Sequence, residues 1–249
     1  MNITKSDILT EIKFIDHGFF DRTGGESTGK FESLNVGINR GDENALNNRE
    51  KIAKYFGVSL SDLVILNQKH GDIVHIITEE NLEQYKFKNI DQALKNEGDA
   101  IITNIKNLLI GVNTADCAPI LLCDKDLKYI AVIHAGWRGS NGQIIENTIE
   151  KMKFLGCKNI IAAIGPCLQK RYFEIKSNTI SQIDRKYISF IGEKALFDMQ
   201  RQVLEKLMKS GVKSVSKLNI DTISNNNYFS YRKLGENCGL QFSGIIIKE

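Results

Sequence analysis

Six apolar runs of four or five residues crowd the middle of the chain: LVIL from Leu63, IVHII from Ile73, AIIT from Ala100, LLIGV from Leu108, PILLC from Pro119 and YIAVI from Tyr129. They are too short for helices and rich in β-branched residues, the pattern of strands buried on both faces. A chain that buries this many strands needs a layered core, and helices must supply the outer layers. Helical spacing is clearest in SNGQIIENTIEKMKFLG, where Ile144, Ile145, Thr148, Ile149, Met152 and Phe154 fall roughly on one face before Gly156 stops the helix. A second helix is predicted over about 194–209, with Gly211 beyond it, and a third in NNREKIAKYFG, ending at Gly57. The polar segment 78–98 reads as a surface connection containing some helix. Strands and helices in this irregular order predict an α+β, mixed α/β fold: a single compact domain over residues 1–249, its mixed β-sheets covered by helices.

Composition narrows the function classes. At 249 residues and 42% hydrophobic, the chain can bury one large core. Its 33 basic and 30 acidic residues leave a formal net charge of +3, without the basic footprint of a nucleic-acid binder. The opening MNITKSDILTEIKF has no signal-peptide apolar region, and the longest apolar runs fall far short of a membrane span. Five cysteines without a CxxC pair suit a reducing compartment and do not make a disulfide framework. The expectation is a cytoplasmic protein, monomer or weak homo-oligomer, with neither nucleic acid nor membrane as partner. No internal repeat interrupts it, and the GxGxxG and GxxxxGK[ST] phosphate loops are absent.

Four segments break apolar sequence with His, Cys or Asp beside Gly or Pro: LNQKHG (66–71), EGDA (97–100), NTADCAPI (113–120) and VIHAGWRG (132–139). Rigid elements commonly deliver side chains into one cleft in this way. His70, Cys117 and His134 together offer two imidazoles and a thiolate, a donor set suited to zinc or copper. Three protein ligands leave a fourth position open, as in a catalytic site. The plainer alternative is two strand-end histidines with satisfied hydrogen bonds and one small buried cysteine. Asp99 and Asp116 either orient a ligand imidazole, shuttle a proton, or form Asx turns at strand boundaries. His75, inside IVHII, reads as a half-buried strand residue, and His17 either lines a cleft or caps a strand. Cys123 and Cys157 read as small packing residues, with Cys167 closer to a turn. Arg22, Arg138 and Arg232 sit in turn-like contexts where a guanidinium fork grips phosphate, or where it is a solvated surface charge. Phe19, Trp137 and Tyr231 either stack on a planar base or pack.

Taken in order from His17 to Lys233, HGFFDRTGG, SLNVGIN, NNRE, LNQKHG, GDAIIT, TADCAPILL, HAGWRG, IGPC and YFSYRK closely resemble the laccase-domain family. Its members have been called multicopper polyphenol oxidases, purine nucleoside phosphorylases and peptidoglycan editing factors. The resemblance implies a compact α/β fold and zinc or copper held by His70, Cys117 and His134. It implies phosphorolysis of adenosine, inosine and methylthioadenosine to free base and ribose 1-phosphate or its methylthio analogue, together with adenosine deamination. Purine nucleosides and phosphate are then the expected small-molecule partners. Asn35 and Gln68, inside motifs that carry the resemblance, join Arg22, Arg138 and Arg232 as candidate substrate contacts. Cys117, His70, His134, Asp99 and Asp116 are the candidate catalytic residues. The chain departs from the family at Asp221 and Ser224, where two cysteines are common, and at Lys233, where a second arginine is common.

Rival chemistries use the same residues. Cys117 as nucleophile, His134 as base and Asp99 or Asp116 as orienting group make a cysteine-hydrolase triad able to act on a muropeptide amide. A polyphenol oxidase needs redox-active copper, and the lack of further histidine clusters argues against a multicopper centre. A non-catalytic nucleotide-binding module is the alternative outside enzymology.

Overall fold

A computed structural model of the chain describes residues 1–126 and 129–248. The apolar runs are strands, and further strands come from both ends of the chain. In chain order they are β1 (Ile3–Thr4), β2 (Ile15–Phe20), β3 (Leu63–Ile65), β4 (Val74–Ile77), β5 (Ala100–Thr103), β6 (Leu109–Thr114) and β7 (Ala118–Asp124). There follow β8 (Ile130–Ala135), β9 (Ile160–Ile164), β10 (Glu174–Ile175), β11 (Ile188–Ile191), β12 (Lys194–Phe197), β13 (Ser214–Lys217) and β14 (Gln241–Ile247). The helices are α1 (Asp7–Thr10), α2 (Ala45–Tyr55), α3 (Ile90–Ala93), α4 (Trp137–Asn141), α5 (Ile144–Phe154), α6 (Ser177–Ile180), α7 (Met199–Lys209) and α8 (Tyr231–Leu234).

Two mixed sheets form the centre: β13-β9-β7-β8-β5-β4 and β1-β2-β14-β6-β3. On one face of the six-stranded sheet Ile102, Ile120, Leu122 and Ile133 pack with Ile145, Ile149 and Met152 of α5 and Val203 and Leu207 of α7. On its other face Ile101, Leu121, Val132 and Ile161 meet Val64, Ile110, Val112 and Ile245 of the five-stranded sheet. That sheet's outer face, with Phe20, Leu63, Leu109, Phe242 and Ile246, is closed by Ile52 and Ala53 of α2 and by Phe56. The order is therefore helix, sheet, sheet, helix. Both faces of each central strand are buried, so their sequences read as continuous apolar runs and not as alternation.

Several sequence expectations change. Residues 194–197 form a strand, and the helix starts at Met199, where the Asp198 side chain accepts from the Arg201 N–H. The left-handed turn at Gly192 returns the chain against β11, and a short ALF run carries no period to separate strand from helix. The helix drawn from Ser140 is two helices, α4 and α5, separated at Gly142. Phe154 is 90% exposed, because it lies two residues beyond Met152 and so about 200° around the helix. The middle of the chain supplies β3 to β8, and its two ends complete the sheets: β2 and β14, from opposite ends of the sequence, pair antiparallel next to β6. Segment 78–98 does carry helix, as α3.

Register positions the site. β7 and β8 are antiparallel with Pro119 opposite His134, so the start of β7 and the end of β8 share one edge. The His134 N–H donates to the Asp99 carbonyl at the start of β5, and β4 runs parallel to β5 from Val74 opposite Ala100. Residues just before β4, β5 and β7 thus meet the last residues of β8 at one end of the six-stranded sheet.

Candidate functional site

At that end, His70, Cys117 and His134 present ligand atoms that all lie within 4.8 Å of one another. Cys117 Sγ is 3.7 Å from His70 Nε2. His134 Nδ1 donates to Asp99 Oδ1 at 2.7 Å, which orients the ring and leaves Nε2, on the side of Cys117, as the atom able to ligate a metal. Burial opposes the thiolate, yet His134 and His70 bring Cys117 down to about 6. Burial likewise opposes the imidazolium, but the Cys117 thiolate and Asp99 push His134 up to about 9. A thiolate ready at neutral pH is what a soft metal ion needs.

The backbone is shaped around these atoms. His70 (φ 60°) and Asp116 (φ 86°) are left-handed, uncommon for residues other than glycine. The turn at His70 aims three successive N–H groups at the Asp99 carboxylate: Lys69 at 3.2 Å, His70 at 3.0 Å and Gly71 at 2.8 Å. Burial resists the charge on Asp99, but His134 and these N–H groups hold its carboxyl below the usual range. Gly136 leaves room for the trio. A Cβ there would stand 2.7 Å from His70 Cδ2 and 3.1 Å from Cys117 Sγ. Donor chemistry, mutual spacing, the oriented His134 ring and the space at Gly136 all fit a zinc or copper ion.

The trio opens on a cavity of about 550 Å³, within the range of small-molecule sites. Gln68, Asp116, Trp137, Arg138, Tyr231 and Arg232 also line it. Asp116 Oδ1 accepts from Thr222 Oγ1 and Oδ2 from the Arg232 N–H, both at 2.6 Å, and burial pushes its carboxyl up. Arg138 stacks on Trp137, whereas Arg232 lies over Phe173 and donates from Nη1 to the Glu174 carbonyl. The Gln68 amide is spent on the backbone of Asn113, accepting from its N–H and donating to its carbonyl.

Other sequence candidates lie away from the cavity. Arg22 donates to the Glu32 carbonyl and stacks on Phe229, so it braces a loop. Asn35 is buried, donating to Asp42 and accepting from the N–H groups of Gly37 and Leu240. Phe19 is fully buried in the core. Asp99 stands behind His134 and does not line the cavity, its oxygens taken up by the His134 ring and the N–H groups of Lys69, His70 and Gly71. His75 is satisfied by Tyr85 and the Glu97 carbonyl, and His17 is a buried acceptor for the Ser6 N–H. Asp221 binds the N–H groups of Gln169, Ile223 and Ser224, and Ser224 Oγ accepts from Arg171, so both positions build a turn. Sequence reasoning missed Arg40, Arg49, Asn113 and Phe173, which line the cavity. The NNRE motif held the only signal for Arg49.

The family model for multi-copper polyphenol oxidoreductase laccase matches residues 16–248. The chain belongs to that family. A purine nucleoside phosphorylase of Rickettsia prowazekii is 33% identical, over 95% of this chain and 98% of its own length. An adenosine deaminase from an unknown prokaryotic organism is 32% identical over the whole of both chains. A Bacillus licheniformis hypothetical protein superposes with a TM-score of 0.87 at 25% identity, covering 96% of this chain and 94% of the other. A Neisseria meningitidis protein gives 0.84 at 27% identity over the full length of both. The laccase-family fold is therefore this chain's fold, and no helix among the described residues is long and apolar enough to cross a membrane.

Proposed function

We propose that the chain is a metal-dependent purine nucleoside phosphorylase, acting on adenosine, inosine and methylthioadenosine, with adenosine deaminase activity. The observation that carries this is the His70, Cys117 and His134 trio on the wall of a cavity that also holds arginines and aromatic rings. The relatives named for both activities support it. Zinc or copper bound by the trio would supply a Lewis acid there. Phosphorolysis makes a bond from a phosphate oxygen to ribose C1′ and breaks C1′–N9, whose electron pair leaves on the purine. The purine takes up a proton, giving free base and ribose 1-phosphate. In this scheme the arginines offset the charge of phosphate, and Trp137 and Tyr231 offer faces to the base. In this scheme Asp116, buried at the cavity wall with its carboxyl raised by burial, exchanges a proton with the purine. Deamination instead adds water at C6 and releases ammonia, leaving inosine.

Phosphate is the switch that tests this reading. Inosine with phosphate should yield hypoxanthine and ribose 1-phosphate in equal amounts, and omitting phosphate should stop the reaction. Adenosine should still become inosine without phosphate. Fully metallated protein that releases neither base nor ammonia from any purine nucleoside would defeat the proposal.

One arrangement favours a second reading. Cys117, His134 and Asp99 are ordered as a cysteine-hydrolase triad, the imidazole lying between thiolate and carboxylate. His70 counts against it, since a second imidazole on the same thiolate serves a metal and not a nucleophile. Metal analysis separates the two. Stoichiometric zinc that is lost in His70→Ala, Cys117→Ala and His134→Ala supports the phosphorylase, while full occupancy in all three variants overturns the ligand assignment.

A further inference from the structure

Arg49 is only 5% exposed, yet it lines the cavity. It projects from α2, and its Nε donates to the Val36 carbonyl at 2.8 Å. Among the described residues neither Nη1 nor Nη2 makes a hydrogen bond to the protein, and no carboxylate pairs with the guanidinium. Burial alone, with no acid to offset it, lowers its pKa to about 9. Proteins seldom leave a charge desolvated without a counter-ion, because desolvation costs far more than an exposed charge does. When the chain supplies no anion, a ligand is the remaining source.

The surroundings fit this. Val36 also donates its N–H to the Leu240 carbonyl, and Leu240 leads into β14, where Gln241 lies opposite Thr114 of β6. Arg49 therefore sits by the end of β6, three residues before Cys117. Two side-chain oxygens at that strand end, Asn113 Oδ1 and Thr114 Oγ1, are buried and without a hydrogen-bond partner. Both residues line the cavity, as does Arg40, which packs beside Gly37 and likewise has no carboxylate partner among the described residues. The other two cavity arginines are exposed, so Arg49 is the one whose charge is withdrawn from water.

We propose that Arg49, with Arg40 beside it, is the phosphate-binding pole of the cavity, holding inorganic phosphate at the end of β6. The proposal rests on the phosphorylase reading and deepens it. A guanidinium fork takes two phosphate oxygens at once, and monohydrogen phosphate has a hydroxyl to give Asn113 Oδ1. Arg138 and Arg232, which carried this role in the sequence reading, become rim residues.

The test is calorimetric titration of the metallated protein with inorganic phosphate, without nucleoside, for wild type, Arg49→Met and Arg49→Lys. Phosphate KM in inosine phosphorolysis is measured in parallel, and circular dichroism checks folding. Losing charge-assisted hydrogen bonds should weaken phosphate binding by about 10- to 100-fold in Arg49→Met. Arg49→Lys keeps the charge without the fork, should weaken binding less, and decides the matter if the methionine variant does not fold. Wild type that binds no phosphate, or a folded variant that binds it as wild type does, overturns the subsite. Arg49-dependent phosphate binding without phosphorolysis upholds the subsite while the phosphorylase reading fails. Phosphorolysis with an unchanged phosphate KM in the variants does the reverse.

Discussion

Asp99 Oδ1 accepts a hydrogen bond from His134 Nδ1 at 2.7 Å, between two buried side chains. The same carboxylate accepts from the backbone of Lys69, His70 and Gly71, so one acid orients two of the three candidate ligands. One is held through its ring and the other through its turn.

Asp99→Asn should therefore weaken metal binding by about 10- to 100-fold without replacing any ligand. The neutral amide must turn one N–H₂ toward groups that themselves donate. Competition against a chromogenic zinc chelator reads the effect, and wild-type affinity in the variant would show that Asp99 does not govern the ligands.

Gly136→Ala isolates the steric demand of the trio. The backbone there, φ −74° and ψ 173°, is open to alanine, so the change acts only through its methyl group against His70 and Cys117. We expect metal content and activity to be lost, with stability reduced by about 1–3 kcal/mol as in other overpacked sites. Metal analysis with thermal melting checks this. A fully metallated variant would mean the trio is looser than its geometry.

His17 should make the fold acid-sensitive. Burial and Lys5 lower its pKa from 6.5 to about 4, against an opposing effect of Asp16, and its Nε2 must stay unprotonated to accept the Ser6 N–H. Between those values the unfolded chain binds a proton that the native state does not. Stability is then complete above about pH 6.5 and declines as pH falls toward 4, by roughly 3 kcal/mol for this group. Urea unfolding at pH 7, 5 and 4 should show less acid loss in His17→Gln than in wild type. An NMR titration of His17 near the ordinary histidine value would refute the mechanism.

By itself, the sequence determined the layered character of the fold and singled out His70, Cys117 and His134 as candidate ligands. Runs such as PILLC and YIAVI are short, carry β-branched residues and are apolar at consecutive positions, the pattern of strands buried on both faces. The His, Cys and Gly residues that interrupt them stood out against that background. Tertiary structure decided everything that depends on partners distant in sequence. It placed β14 beside β2, sent Arg22 and Asn35 to brace loops, and made residues 194–197 a strand because β11 was there to pair with them. It also chose between the two aspartates, setting Asp99 behind His134 and Asp116 at the cavity wall, since an Asx-like motif looks the same in either place. Arg49 could not be singled out in NNRE, because burial without a counter-ion is a property of its surroundings and not of its residue type.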